Sequence, residues 1–218
     1  LDFSSMNALR DILFRPRRAA ESLRAQPRWL GPFLLLALLS AVLYALGSEG
    51  RIDELIRHLP PSADEAARSQ VHENLRADLW RNTLFLPYRL ALGWGGFAAL
   101  LFMSGRALSR ERATTYRHVF ALETHAELIL LFPSLLPLAG LPVPSLALVD
   151  SPFFADSLLR AANCFTLWYI LALSAGMAVL FELRTRTAFL VVAVCWGMTE
   201  SLNIGILHLL TRSFHFHL

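Results

Sequence analysis

The chain has 218 residues, 55% of them hydrophobic and only 17% charged, with a mean hydropathy of +0.47, against roughly 25% charged residues in a typical globular protein. With several apolar runs of membrane-spanning length, this excludes an ordinary soluble core and points to one polytopic membrane domain. A net charge of +3 and a pI near 9.3 do not mark a nucleic-acid binder, because the arginines flank the apolar runs and no RNA- or DNA-binding module is recognisable.

Residues 1–28 form the first unit, with six arginines (Arg10, Arg15, Arg17, Arg18, Arg24, Arg28) against Asp2, Asp11 and Glu21. Met6, Leu9, Leu13 and Phe14 recur at helical spacing, which predicts a short amphipathic helix ended by Pro16 and a second from Arg17 to about Gln26. Apolar groups accompany the arginines, so this segment is expected to lie at an anionic membrane surface, with Arg15, Arg17, Arg18, Arg24 and Arg28 meeting lipid headgroups or a protein partner. No cleavable signal peptide is expected.

A five-span membrane domain is expected over 29–210, with spans at about 29–47, 83–103, 119–138, 159–181 and 187–209 and a tail at 211–218. Trp29 suits the interface, and Pro32 falls near the first turn of its span. Between the first two spans, residues 48–81 are predicted to form an extramembrane insert of two helical pieces, 49–59 and 63–79, flanking Pro60 and Pro61. Span two carries Arg89 and the small-residue run Gly93-Trp-Gly-Gly96. Arg89 either reaches to the interface or pairs with a carboxylate of span three.

The third span, led into by the stretch that starts at Tyr116, is the most polar. Glu123 and Glu127, four apart, share one face; His118 and His125, seven apart, share another. Ionisable groups on two sides call for protein or water on both, so this helix is expected at the centre of the bundle. Span four carries Asn163, Cys164 and Gly176, and span five carries Trp196, Glu200 and Asn203 on one approximate face. Cys164 and Cys195 are read as small buried hydrophobes. Placing residues 1–28, the 104–117 loop and the 182–186 turn in the cytoplasm puts twelve of the twenty arginines inside. The N-terminus is then cytoplasmic and the C-terminus periplasmic, as in an inner-membrane protein.

Three segments carry a family resemblance: Asp11-Ile-Leu-Phe-Arg-Pro-Arg-Arg18 with Gln26-Pro-Arg-Trp-Leu30; Thr114-Thr-Tyr-Arg-His-Val-Phe-Ala-Leu122 with Ala126; and Asn163-Cys-Phe-Thr-Leu-Trp-Tyr-Ile-Leu171 with Gly176, Arg186-Thr-Ala-Phe189 and Trp196. In this order they resemble the Yip1 family of integral membrane proteins, in its bacterial form, over most of residues 11–206. The resemblance implies an all-α, five-span bundle. The eukaryotic members interact with small GTPases of vesicle traffic, and that partner is not carried over, because the acidic region they have ahead of the first span is not seen here. Glu123, Glu127 and Glu200 depart from the family's largely apolar spans.

A polar intramembrane cluster of Arg89, Glu123, His125, Glu127, Asn163, Glu200 and Asn203 is the candidate site. Each buried carboxyl there must be neutral, paired or hydrated. Three functions compete. The reading preferred from sequence is a non-enzymatic organiser or adaptor, with membrane lipids, a cytoplasmic protein or a second copy as partners. Next is a small transporter moving an ion, proton or lipid-like solute past Glu123, Glu127 and Glu200. Last is an intramembrane metal-dependent enzyme, although no zincin-type motif is present, no catalytic residue is assigned and no cofactor is expected. His208, His215 and His217 near the end could at most form a weak metal cluster.

Overall fold

The computed structural model describes residues 3–57, 65–136 and 162–215, which form seven helices and no strand. Helices α1 (Phe3–Phe14) and α2 (Pro16–Ala25) come first. Pro16 ends one and opens the other, since a first-turn residue has no helical acceptor to lose. Ile12, Ala19, Ala20 and Leu23 are buried in the main core, where this pair packs against the later helices of the bundle. Of the apolar face expected to rest on lipid, Phe14 is exposed and Leu13 is half-buried against the core, while the side chains of Met6 and Leu9 lie outside the described residues.

Helix α3 (Leu30–Arg57) and helix α4 (Glu65–Leu108) lie along one another. At 1.5 Å per residue they extend about 42 and about 66 Å, well beyond the ~30 Å hydrocarbon layer. The polar insert is therefore not two separate small helices but the continuation of two long ones. Nothing breaks them: residues 65–82 contain neither glycine nor proline, and Gly47 and Gly50 in α3 each cost only about 1 kcal/mol against alanine. Pro60 and Pro61 lie outside the described residues. Pro87 falls inside α4 without ending it.

Helix α5 (Tyr116–Leu135) starts where the backbone N–H of Thr115 donates to His118 Nδ1 at 3.0 Å. It packs against α1, α2, α3 and α4, and also against helix α6 (Cys164–Leu180). Asn163 caps α6, its Oδ1 accepting from the N–H groups of Phe165 and Thr166 at 2.9 and 3.0 Å. Gly176 lets α5 and α6 approach closely: a β-carbon there would meet Leu122 at 2.5 Å. The last helix, α7 (Thr185–His215), packs on α6 and α4.

The end of α6 is closed by a Schellman turn, with Leu183 N–H donating to Ala178 O at 3.0 Å and Glu182 at φ 53°. Glycine usually holds that left-handed position; here Glu182 holds it, and its carboxylate meets Arg24 of α2 at 2.9 Å. Arg24 also reaches Glu111 at 2.9 Å and Val179 O at 3.5 Å. Nearby, Ser109 Oγ donates to Phe181 O and Thr114 Oγ1 to Leu180 O. The free carbonyls at this helix end are satisfied by the α4–α5 loop, and α2 is clasped over both.

Outward faces carry apolar stripes at four-residue intervals, Leu34, Leu38, Val42 and Leu46 on α3 and Leu190, Val194, Met198, Leu202 and Ile206 on α7. Water does not tolerate patches of that extent, whereas lipid covers them. Among the described residues three helical segments are long and apolar enough to cross a membrane: Leu30–Gly47, Arg68–Leu108 and Thr185–Ile206, with Cys164–Leu180 a shorter apolar helix. The chain is a membrane protein, all-helical among the described residues.

Candidate functional site

Helix α5 places its acids inward. Glu123 is 1% exposed, and Glu127, one turn further on, opens into the same cavity of about 280 Å³ between α4, α5, α6 and α7. Trp94 and Phe97 of α4 and Tyr169 of α6 wall one part of it; Trp196, Thr199, Glu200 and Asn203 of α7 wall another. The phenol of Tyr169 donates to Glu123 Oε1 at 2.7 Å, between two fully interior side chains. Glu123 Oε2, also buried, has no hydrogen-bond partner. The Glu127 carboxyl sits close against Glu123, Trp94 and Tyr169, and Glu200 lies within electrostatic reach of it. Two carboxyls this close in a dry setting share a proton or recruit a cation.

Not every residue of the sequence cluster arrives there. Arg89 is exposed on α4 and forms no ion pair with Glu123 or Glu127, because it lies a full turn before Gly93, the first α4 residue of the cavity wall. Asn163 serves as the α6 cap instead. His125 is fully buried, but away from the cavity wall; its Nδ1 is 2.7 Å from Ala121 O and its Nε2 has no partner. Among the described residues no three histidine, cysteine, aspartate or glutamate side chains converge as a metal set. The side chains of His208 and His215, and all of His217, lie outside the described residues. Cys195 is buried, 3.6 Å from Ser104 Oγ, whereas Cys164 is exposed at the start of α6.

The basic residues of the N-terminal helices divide in two. Arg24 forms the clasp described above, and Arg17 donates to Thr185 Oγ1 at 2.8 Å. Arg15 and Arg28 are exposed, and so is Arg18, 3.7 Å from Asp11. Glu111, in the α4–α5 loop, is a titrating group outside the membrane-spanning segments. The Ala113 N–H, donating at 2.5 Å, and then the Arg24 guanidinium hold its carboxyl below the ordinary value of 4.5.

The Yip1 domain model matches residues 10–199, nearly the whole of the helical bundle just described. The chain belongs to the Yip1 family. No curated protein and no solved structure matches it. The match takes in α5 and the acids at 123 and 127 and all of the cavity wall except Glu200 and Asn203, which follow its last residue. Tyr169 and Trp94 were not among the sequence candidates. Their only advance signal is a phenol and an indole in the middle of apolar helices, where each needs a partner.

Proposed function

We propose that this Yip1-family protein crosses a bacterial inner membrane five times, N-terminus cytoplasmic and C-terminus periplasmic, and works as a small permease or solute-binding protein through the Glu123 cavity. One observation carries the functional part. In a cavity lined by three carboxyls within the membrane bundle, the buried Glu123 carboxyl takes one hydrogen bond from Tyr169 and is set against a second acid, Glu127, and intramembrane ionisable groups mark solute or ion paths by default. The apolar stripes and the arginine asymmetry support the five-span reading, with the polar face of α5 shielded by its neighbours and α6 short but apolar. Phe14, 74% exposed beside Arg15, supports a membrane-surface position for the outer face of α1 and α2.

The organiser or adaptor reading keeps one supporting observation. Arg24 fixes α1 and α2 over the α4–α5 loop, leaving Arg15 and Arg18 exposed for headgroups or a partner.

Reconstitution separates the two. Flux of protons, inorganic cations or small organic cations into liposomes is expected with the wild type and should fall about tenfold or more in Glu123→Gln and Glu127→Gln, the loss of one contact worth about 1.4 kcal/mol. Equal flux in wild type and variants would leave the organiser. Orientation is tested after replacing Cys164 and Cys195. An impermeant maleimide should label the Arg76→Cys variant in intact spheroplasts and the Arg110→Cys variant only after permeabilisation. The reverse pattern inverts the topology.

A further inference from the structure

We propose that the cavity at Glu123 and Glu127 is a receptor for an alkylammonium group, supplied either by a lipid headgroup amine or by a free amine solute; this rests on the cavity being the working site.

The charge of the wall is one-sided. Glu123, Glu127 and Glu200 line it, and no arginine or histidine does among the described residues. The remaining wall is largely aromatic, with Trp94, Phe97 and Trp196. Carboxylates and aromatic faces together are what an ammonium recognises: the first supply charge, while the second attract the cation by their quadrupole and tolerate its alkyl substituents. Glu123 adds to the match: Tyr169 takes its Oε1, and the carboxyl set against the rest of the group is another acid, Glu127, so the pair calls for a positive charge. An ammonium brings up to three donors in one compact group.

The alternatives fit less well. A proton needs neither an aromatic wall nor a space of about 280 Å³. Calcium takes 6–8 oxygen ligands and magnesium near-octahedral geometry, whereas no metal-like set converges among the described residues. The volume lies just under the ~300 Å³ at which drug-sized pockets begin, so it suits a headgroup or small amine and not an entire lipid.

The experiment uses the full chain in nanodiscs, read by tryptophan fluorescence, since Trp94 and Trp196 border the cavity. Ethylammonium and tetramethylammonium chloride are titrated, with tert-butanol as a neutral probe of similar size. Saturable binding of a cation that Glu123→Gln weakens about tenfold and Trp94→Leu weakens several-fold, with Arg89→Gln unchanged, supports a free amine as ligand. Failure of the free amines to bind, combined with phosphatidylethanolamine that co-purifies with the wild type and is lost in Glu123→Gln, supports the lipid source. Equal binding of tert-butanol, or cation binding indifferent to Glu123→Gln, overturns the inference. So does Glu123-dependent movement of protons or inorganic cations with no amine effect, although the permease reading survives that result. If nothing binds or moves, both readings fall.

Discussion

Replacing Tyr169 by phenylalanine tests the link between α6 and the acids of α5. The change keeps the ring and removes the oxygen that donates to Glu123 Oε1 at 2.7 Å, so little volume is lost and no sizeable cavity is created. What disappears is one interhelical hydrogen bond, typically about 0.6–2 kcal/mol in a membrane bundle and about 1.5–3 kcal/mol when the acceptor is charged. Glu123 Oε2 has no partner already, so the variant leaves the whole buried carboxyl without a direct donor from α6. A loss of about 1–2 kcal/mol is expected, or about 2–8 °C in Tm at the ~2–4 °C per kcal/mol of a chain this size. The assay is thermal unfolding in nanodiscs over a double-mutant cycle of Tyr169→Phe, Glu123→Gln and the pair. Coupling of about 1 kcal/mol is expected; additivity within about 0.5 kcal/mol would show that the two groups do not stabilise one another and would refute the geometry.

Gly176→Ala is expected to destabilise by about 1–3 kcal/mol, because its β-carbon would stand 2.5 Å from the fully buried Leu122; thermal unfolding measures it, and adding Leu122→Ala should recover part of the loss. Glu111 predicts acid sensitivity. Its folded value is lowered, so its stabilisation is complete above the ordinary carboxyl value of 4.5 and is lost as pH falls through the lower folded one. Melting curves from neutral pH downward should lose this component in Glu111→Gln. In Arg24→Ala they should keep part of it, because the Ala113 N–H remains as the larger cause. The same acid loss in wild type and Glu111→Gln would refute the assignment.

What the sequence made legible was periodic. The four-residue separation of Glu123 and Glu127, with His125 on another face, is enough to predict a helix surrounded by other protein, and α5 packs against five neighbours. Glu200 and Asn203 could be placed on one face of the last helix by the same count, and both line the cavity. Their partners are a different kind of information. Tyr169 lies 46 residues from Glu123, and no local pattern sets the rotation of α6 relative to α5; packing at Gly176 and Leu122 does. Asn163 looked like an intramembrane polar group only because the predicted span began at 159, whereas the helix begins at Cys164 and makes Asn163 its cap.

Arg24 shows why composition alone misassigns a basic segment. As one of six arginines in 28 residues, it is indistinguishable in sequence from those that would meet lipid. Folding brings it to Glu111, 87 residues away, and to Glu182, 158 away. The unusual left-handed glutamate at 182 makes sense only with that contact, since glycine would suit the turn better and could not hold Arg24. Because the clasp joins α2 to both loops at one end of the bundle, its geometry is tied to the relative position of α4, α5, α6 and α7. Those are the same four helices whose spacing shapes the Glu123 cavity.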